Sequence, residues 1–489
     1  MAEAPSVAII GAGFSGICAA VRLKQAGYER ITIYEKAERV GGTWHYNTYP
    51  GCACDVRVQL YSLSFEPNGE WDYVFARSNE IQAYLEGVVD KHDLRPHLRL
   101  STPVKAARWD EAAACWRLTV GADEEAAADI VITGFGQLDR PHFPDIPGRD
   151  SFAGASFHSA RWDHGVSLKG KRVGVIGTAA SAVQFIPEIA PDVAHLDVFQ
   201  RSANYLLPRG DRPIGAGEKR LLKAAPWLMG VIRRQIYWWS EWLFWGAFKP
   251  GDWRADYFHN LSMKHLETQV PDPALRARLT PDYPIGCKRI IFSDDYYPAL
   301  MRSNVALITD PIASITPEGV ATKSGRTHAL DVLIYGTGYE ASDFRWSCEI
   351  RGKGGVDLRE AWRKGPEAYL GVSVAGFPNF FMLYGPNTNL GHTSILFMVE
   401  RQVEYVIALL DAMRTQDLVA LEVTKMAQDR YNYLLQDDLA RTPWAGACAS
   451  WYKTASGKIT NNWSGSTQDY KKRMRTPNFD DYKMRARAA

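Results

Sequence analysis

An excess of charge of either sign is missing from this sequence of 489 residues. Its 57 lysines and arginines are nearly balanced by 55 aspartates and glutamates, which leaves a formal net charge of +2. A protein that binds nucleic acid needs a clustered basic face, and this balance gives no support for one. We therefore expect no nucleic-acid partner.

Cysteine is also scarce. The seven cysteines show no spacing typical of a disulfide framework, and the stretch Met1 to Ser6 lacks the basic and apolar regions of a signal peptide. Both absences predict a reducing, cytoplasmic location. Cys52 and Cys54 are too close together for the usual zinc patterns, and no second pair follows them, so we expect no metal.

No apolar run is long enough to cross a membrane. The most aromatic stretch, Trp227 to Trp245, is interrupted by Arg233, Arg234 and Glu241, so no 18-residue apolar window exists in it. Helices that pack on the second domain are the favoured interpretation of this stretch. An amphipathic helix in peripheral contact with a membrane, or a lid over an apolar substrate pocket, stays open.

The sequence does contain two glycine-rich strand-turn-helix units. In the first, Val7 to Ile10 predicts a short buried strand of a parallel sheet. Gly11 permits the tight turn that follows, Gly13 lets a pyrophosphate approach the backbone, and Gly16 lets helix and strand pack closely. This spacing, in this context, predicts a dinucleotide-binding site.

The segments after the first loop indicate which dinucleotide binds there. A helix is predicted from Phe14 to about Gln25, with its amide-rich N-terminus toward the phosphates, and a strand from Ile31 to Tyr34. Glu35 ends that strand, where a carboxylate accepts hydrogen bonds from a ribose hydroxyl and repels a 2′-phosphate. We therefore expect FAD at this site.

The second unit departs from the usual pattern at one residue. Val173 to Ile176 predicts a strand, and Gly177, Thr178, Ala179 and Ser181 lie in the loop after it. Ala179 stands where a second glycine is usual, and its methyl group lies where the pyrophosphate should approach the backbone. We expect a weakened affinity for the nicotinamide cofactor rather than a different cofactor.

The next strand indicates which nicotinamide cofactor is used. His195 to Phe199 predicts a strand that ends in Gln200, Arg201 and Ser202, where an NAD site would have an acidic residue. A guanidinium and a hydroxyl suit a 2′-phosphate, which predicts NADPH rather than NADH. The alternative is that Arg201 is a plain surface charge.

The linker between the two units carries Phe152, Gly154, His158, Trp162 and Asp163. Taken alone, a buried histidine and tryptophan at a domain joint are ordinarily packing residues. Between two dinucleotide units, the spacing F-x-G-x-x-x-H-x-x-x-W with a final Asp resembles the signature of the type I Baeyer-Villiger monooxygenases. We interpret the linker as a hinge between two redox cofactors.

A second stretch carries the same resemblance. Gly41-Gly42 and Trp44 lead through Tyr49-Pro50-Gly51 to Asp55, and they are similar at every fixed position to another signature of this family. The resemblance extends over nearly the whole chain, from Ser6 to about Tyr482.

The resemblance implies an oxidoreductase that consumes NADPH and O2. In this family a C4a-peroxyflavin attacks a ketone, and one oxygen atom is inserted next to the carbonyl to give an ester or a lactone. Lys288-Arg289 is similar to the segment that supplies the catalytic arginine, and the family places the Asp55 carboxylate behind it. The competing interpretations are a turn cap for Asp55 and solvated surface for Lys288 and Arg289.

The same resemblance implies the residues that contact the cofactors, with Lys288 at the 2′-phosphate. They are Gly11, Gly13, Gly16, Glu35, Gly42, Thr43, Trp44, Asp55, Tyr61, Val104, Gly177, Thr178, Ser181, Gln184, Arg201, Ser202, Lys288 and Asn387. A strand from Leu98 to Val104 would meet the adenine. A helix from about Ser394 to Leu409 would aim its amides at the flavin. Trp451 and Trp463 either line the substrate cavity or pack in the core.

Together these segments predict an α/β fold with two Rossmann-like dinucleotide-binding domains, for FAD and NADPH, and a helical insertion. We expect residues 1–150 and 336–489 to form the FAD domain, the latter with a C-terminal substrate-lining segment. Residues 151–335 would form the NADPH domain, with the helical insertion at about 213–284.

Two other functions stay open beside the Baeyer-Villiger reaction. A flavin-containing monooxygenase would give N- or S-oxides, and an uncoupled NADPH oxidase or a binding-only flavoprotein would oxidise no substrate. Only Ala179 supports the oxidase, whereas Asp55 and the two signatures favour the Baeyer-Villiger reaction. The apolar insertion suggests a hydrophobic ketone; neither the particular ketone nor the oligomeric state follows from the sequence.

Overall fold

The computed structural model describes residues 4–342, 344, 346–446 and 452–487. Trp451, one of the residues expected near the substrate, lies outside these ranges.

The described residues form strands and helices in the following chain order. The strands are β1 (Val7–Ile10), β2 (Ile31–Tyr34), β3 (Leu98–Arg99), β4 (Val104–Asp110), β5 (Cys115–Val120), β6 (Glu124–Ala128), β7 (Ile130–Thr133), β8 (Ala155–His158), β9 (Arg172–Ile176), β10 (His195–Phe199), β11 (Leu206–Leu207), β12 (Ile291–Phe292), β13 (Val305–Ile308), β14 (Ile312–Thr316), β15 (Gly319–Thr322), β16 (Thr327–Ala329), β17 (Val332–Tyr335), β18 (Glu349–Arg351), β19 (Phe380–Met382), β20 (Leu418–Val423) and β21 (Tyr482–Ala486). The helices are α1 (Phe14–Gln25), α2 (Thr43–Tyr46), α3 (Ser78–Lys91), α4 (Ala180–Ile189), α5 (Ala216–Ala224), α6 (Trp227–Leu243), α7 (Trp253–Gln269), α8 (Pro273–Leu279), α9 (Tyr296–Leu300), α10 (Leu358–Ala361), α11 (Ile395–Thr415), α12 (Lys425–Ala440) and α13 (Thr467–Arg473).

The first sheet is entirely parallel, in the order β19-β7-β1-β2-β3. All residues of β1 and β7 are buried, as expected of central strands covered on both faces. The predicted strands at 7–10 and 31–34 and the predicted helix from Phe14 to Gln25 are confirmed. The sheet places the first glycine loop at the carboxyl end of β1.

The second sheet is also parallel, in the order β13-β10-β9-β17-β8. Its strands β9 and β10 confirm the predictions at 173–176 and 195–199. The linker contributes the edge strand β8, in which His158 pairs with Tyr335 of β17. Two parallel sheets of this kind confirm the predicted α/β class with two Rossmann-like units.

The prediction of one strand from Leu98 to Val104 is wrong. The chain forms a strand at Leu98–Arg99 in the first sheet and a separate one from Val104 in the sheet β18-β4-β5-β6. Ser101 between them has a φ of +49°, which extended backbone does not permit, and Pro103 has no amide to donate to a sheet.

Helices α5 to α8, from Ala216 to Leu279, lie in the chain between β11 and β12. Helix α11 runs to Thr415, longer than predicted. The domain boundaries near residues 150 and 335, and the insertion at about 213–284, stay predictions. Among the described residues, no helix has both the length and the apolarity to cross a bilayer.

The favoured interpretation of the stretch from Trp227 was wrong. Helix α6 does not lay its aromatic side chains on the second domain; Trp227, Trp238 and Trp242 are exposed. Its inner face instead contacts Gln59, Ser62 and Phe397, because Arg233 donates to the carbonyls of the first two and Tyr237 stacks on the ring of the third.

The described cysteines fall into two groups. Cys18, Cys52, Cys54, Cys115 and Cys348 are free thiols. Cys287 is disulfide-bonded, which the spacing of cysteines in the sequence did not predict.

Candidate functional site

The backbone packs so closely around the first glycine loop that Gly11 and Gly16 could not carry side chains. Gly11 has a φ of +105°, and a Cβ there would lie 2.8 Å from the carbonyl oxygen of Gly134. At Gly16 an added Cβ would lie 1.8 Å from the carbonyl oxygen of Gly11, so helix α1 can approach β1 only with glycine. Gly13 faces Gly42, which has a φ of +55° and marks the start of the short helix α2 with Thr43.

The N-terminus of α1 fits a phosphate group. No side chain caps it and its first turn contains no acidic residue, whereas six other helices are capped by side chains, those of Asp252, Asp272, Asp357, Ser394, Thr424 and Ser466. Its free amides and positive dipole end are available to an anion.

Glu35 is buried at the end of β2, beside the glycine loop. Its carboxylate accepts hydrogen bonds from the backbone amides of Ala12 at 2.7 Å and Ala37 at 2.9 Å. These two bonds fix the carboxylate where the loop turns, and carboxylate oxygens retain lone pairs for a ribose hydroxyl. Loop, helix end and carboxylate together fit the ADP half of FAD.

Trp44 and Tyr61 lie together next to this loop. The indole nitrogen of Trp44 donates to the hydroxyl of Tyr61 at 3.0 Å, and the Tyr61 ring packs edge-on against Phe14, the first residue of α1. Val104 is distant in sequence and buried as the first residue of β4.

The second loop repeats the architecture of the first with alanine in place of glycine. Gly177 has a φ of +103°, and a Cβ there would lie 2.4 Å from the carbonyl oxygen of Gly336. Ala179 is exposed and precedes α4, whose N-terminus lacks both a capping side chain and an acidic residue. Thr178 is buried, and its carbonyl accepts a hydrogen bond from Asn204 at 2.7 Å. The uncapped helix end fits a phosphate, and Ala179 is the N-cap residue directly before its first turn.

Two cations and a hydroxyl converge beside the second loop. Lys288 donates to the hydroxyl of Ser202 at 2.8 Å, because the parallel pairing of β11 with β12 aligns the chain after Ser202 with the chain after Lys288. Burial, and then repulsion by Arg201, lower the pKa of Lys288. Two like charges held together in this way fit an anionic group such as a 2′-phosphate.

Gln184 of α4 faces the loop at 49–53. The side-chain oxygen of Gln184 accepts hydrogen bonds from the Tyr49 hydroxyl at 2.9 Å and the Ala53 amide at 3.2 Å. Burial raises the pKa of Tyr49, and the nearby Ser181 side chain counters part of that rise. Helix α4 is thereby tied to the stretch that leads to Asp55.

Arg289 and Asp55 form an ion pair between the two units. A guanidinium nitrogen of Arg289 donates to the Asp55 carboxylate, and this negative charge holds the pKa of Arg289 above its ordinary value. Although Arg289 lies deep in the fold, 41% of its side-chain surface is accessible. Its guanidinium therefore lines an internal cleft, permanently charged and held from one side by a carboxylate.

Two tyrosines that the sequence did not single out flank Arg289. Burial raises the pKa of Tyr452 to about 12, and it also raises that of Tyr384, in both cases against the opposing charge of Arg289. Both phenols are neutral at physiological pH, so Arg289 and Asp55 supply the charges of this cleft. Tyr384 follows the buried strand β19 in the chain, and the apolar run of that strand was the available signal for it.

Asn387 belongs to a network of asparagines near these tyrosines. Its amide nitrogen donates to the carbonyls of Ile459 at 2.9 Å and Asn462 at 3.1 Å, and Asn389 bridges Tyr384 to Asn462. Sequence reasoning missed Asn389 and Asn462; a run of asparagines after a buried strand could have indicated them. The network holds the C-terminal segment beside the cleft.

The linker residues pack against both their neighbours in the linker and the second unit. A Cβ at Gly154 would lie 2.4 Å from the carbonyl oxygen of Asp331, and the ring of Phe152 covers the same point. Trp162 packs edge-on against Phe157 and lies 5.3 Å from the ring of Phe185 in α4. His158 is buried, and its Nδ1 accepts a hydrogen bond from the Ala160 amide at 3.0 Å. These contacts fix where the chain passes from one unit to the other.

Within the described ranges, no group of three or more His, Cys, Asp or Glu side chains could hold a metal ion. Cys52 and Cys54 are both buried, and burial raises the pKa of each thiol.

Comparison with known proteins agrees with this geometry. Residues 9–77 match the family model of the NAD(P)-binding Rossmann-like domain. The chain is 44% identical to a Baeyer-Villiger monooxygenase of Pseudomonas aeruginosa, over 97% of this chain and 90% of the relative. It is 40% identical to a Baeyer-Villiger monooxygenase of Streptomyces coelicolor, over 98% of this chain and 92% of the relative.

Among solved structures, the chain resembles OTEMO in complex with FAD and NADP. The TM-score is 0.89 at 30% sequence identity, over 99% of this chain and 100% of the other.

Proposed function

The chain belongs to the Baeyer-Villiger monooxygenases, and from this premise we propose which of its residues and which substrates serve the reaction. The enzyme is an oxidoreductase that uses FAD and NADPH to insert one oxygen atom of O2 next to a ketone carbonyl, giving an ester or a lactone. The comparisons do not support the alternatives, a flavin-containing monooxygenase giving N- or S-oxides and an uncoupled oxidase.

FAD, when bound, accepts hydride from NADPH and activates O2. We assign the uncapped end of α1, Gly13 and Glu35 to FAD, with the Glu35 carboxylate on a ribose. Arg201, Ser202 and Lys288 would hold the 2′-phosphate of NADPH. The convergence of Lys288 on Ser202 supports this assignment.

Arg289 is the proposed catalytic residue. Attack on a ketone carbonyl places negative charge on its oxygen, and a guanidinium that is always charged stabilises that oxyanion without a proton transfer. Asp55 would fix the orientation of the guanidinium. The single observation that carries this proposal is the Arg289–Asp55 contact, with the accessible part of Arg289 facing the cleft.

The substrate is a small molecule, and we propose a hydrophobic ketone. The rings of Tyr61, Tyr384 and Tyr452 lie near the charged pair, and aromatic rings beside a charge favour a hydrophobic substrate and limit the access of water. Contact of the 227–245 region with a membrane is also a proposal, supported by its exposed tryptophans. Location in the cytoplasm stays a prediction of the sequence.

The experiment that tests this function measures NADPH consumption and products in air. The purified, FAD-loaded enzyme is incubated with cyclic, aryl and steroidal ketones and with aryl sulfides, and products are identified by mass spectrometry. Esters or lactones with one added oxygen are expected, and Arg289→Ala under identical conditions serves as the matched control. Sulfoxides alone, or hydrogen peroxide alone with every ketone, would contradict the proposal.

A further inference from the structure

Helices α6 and α7 present tryptophan to solvent. Trp227, Trp238, Trp239 and Trp242 of α6 are 69, 52, 54 and 59% exposed, and Trp253 of α7 is 58% exposed. The ring centroids of Trp242 and Trp253 lie 6.1 Å apart, so the two helices share one surface. We call these five residues the aromatic face.

The inner face of α6 mixes apolar side chains such as Leu243 with polar groups that make specific hydrogen bonds. Arg233 donates to the carbonyls of Gln59 at 2.7 Å and Ser62 at 2.9 Å. The buried Glu241 accepts a hydrogen bond from the Thr467 amide at 2.8 Å. A rotation that buried the tryptophans would strip these charged groups of their partners. The exposure of the aromatic face is therefore fixed by specific bonds on the other side of the helix.

Exposed cations lie on or next to the helices that carry the aromatic face. Arg220, Lys223, Arg234 and Lys249 are exposed, and none of them has an ion-pair partner among the residues that the structure describes. The acidic residues nearby are mostly engaged, since Glu218 pairs with Arg212 and Asp252 with Arg254; Asp256 is the exposed exception. The surface around the tryptophans consequently carries a positive surplus.

We propose that the aromatic face and its cations dock this protein on the surface of a bilayer that contains anionic phospholipids. Indole rings favour the boundary between headgroups and acyl chains, where an apolar ring and a polar N–H are both satisfied. Lysine and arginine beside them are attracted to anionic headgroups. Helix α6 lies in the plane of the membrane surface and does not cross it.

Docking would bring the bilayer close to the catalytic cleft. The segment 59–62 that Arg233 holds follows Asp55 in the chain and includes Tyr61. Helix α6 thus stands between the docked surface and the wall of the cleft. Delivery of a ketone dissolved in the bilayer rests on the proposed function, whereas docking itself does not.

The test is sedimentation of the full-length, FAD-loaded enzyme with vesicles, without any substrate. Vesicles of phosphatidylcholine and phosphatidylglycerol in equal amounts are compared with phosphatidylcholine alone, at low and high salt. We expect binding to the mixed vesicles that weakens in high salt. Each lysine or arginine near an anionic surface contributes about fivefold in affinity, and salt screens that contribution. The variant with Trp238→Ser, Trp242→Ser and Trp253→Ser should bind at least about tenfold more weakly.

The control is Tyr433→Ser, which removes an exposed ring on α12, away from the aromatic face in the chain, and should bind like the wild type. Flavin absorbance and the thermal midpoint verify that each variant is folded. Equal vesicle binding by wild type and triple variant, or no binding by either, would refute the docking surface. So would a wild-type dimer that the triple variant abolishes, because the face would then belong to a second copy. Wild-type enzyme that binds vesicles but oxidises no ketone would refute the proposed function and leave docking intact.

Discussion

His392 and Glu241 form a buried pair, with the imidazole Nε2 3.1 Å from a carboxylate oxygen. The same carboxylate accepts hydrogen bonds from the amide and the hydroxyl of Thr467, at 2.8 and 2.7 Å. Burial raises the pKa of Glu241, but His392 and Thr467 together bring it below its ordinary value. One carboxylate thereby joins three segments: helix α6, the loop before α11 and the start of α13.

Removing this carboxylate should loosen all three segments. We expect Glu241→Ala to lower the free energy of unfolding by roughly 3 kcal/mol, since His392 and the Thr467 amide then stay buried without a partner. Denaturant titration measures the loss. The control is Glu218→Ala, which breaks an exposed pair with Arg212 and should lower the free energy of unfolding by less than about 1 kcal/mol. Equal losses in the two variants would show that the buried pair stabilises the fold no more than an exposed one.

Arg289→Ala should abolish ester formation and spare flavin binding. Without the guanidinium, the oxyanion loses its positively charged partner, so we expect a fall of about 100- to 1000-fold in kcat. Asp55→Asn should cost less, because the guanidinium keeps its charge. Product analysis gives the rates, and flavin absorbance gives the occupancy. If the Arg289→Ala variant still formed ester, Arg289 would not be the catalytic residue.

Lys288→Ala should raise the KM for NADPH and leave that for NADH unchanged. The ammonium faces Ser202 and is repelled by Arg201, and a 2′-phosphate would relieve that repulsion. We expect a loss of roughly tenfold or more for NADPH. Arg220→Ala, an exposed cation away from the loop, is the control. A similar rise for both cofactors would mean that Lys288 does not read the 2′-phosphate.

Ala179→Gly should tighten the binding of NADP+. The exposed methyl group at the start of α4 stands in the approach to the phosphate-binding amides, and glycine is also a better N-cap than alanine. We expect a severalfold lower Kd by calorimetry, together with a small gain in stability from the better N-cap. Unaltered or weaker binding would show that the methyl group does not face the cofactor.

The sequence predicted the elements whose patterns are local. One such local pattern is the strand-turn-helix unit of Val7–Ile10, the glycines after it and the helix Phe14–Gln25. The structure confirms its strand and its helix. The strand from Leu98 failed because Ser101 in a left-handed conformation breaks it. The contact of Lys288 with Ser202 depends on the pairing of β11 with β12, which no local pattern specifies.

Helix α6 shows a different limit of sequence reasoning. Its composition is apolar and aromatic, and such residues are ordinarily buried. Which face turns inward is decided by partners far away in the chain, namely Gln59, Ser62 and Thr467. Composition therefore predicted a helix correctly and its orientation wrongly.

The stability of the protein should fall between pH 6.5 and pH 4 because of His158. Burial lowers the pKa of His158 to about 4, whereas the unfolded chain takes up this proton near pH 6.5. The unfolded state binds more protons throughout this window, so unfolding becomes more favourable as the pH falls, by up to about 3 kcal/mol. His158→Asn keeps an acceptor for the Ala160 amide and cannot titrate, so its stability should fall less over the same window. Denaturant titrations at several pH values measure the difference, with His164→Asn, an exposed histidine, as control. Parallel curves for wild type and His158→Asn would mean that His158 is protonated in the folded protein as readily as in the unfolded chain.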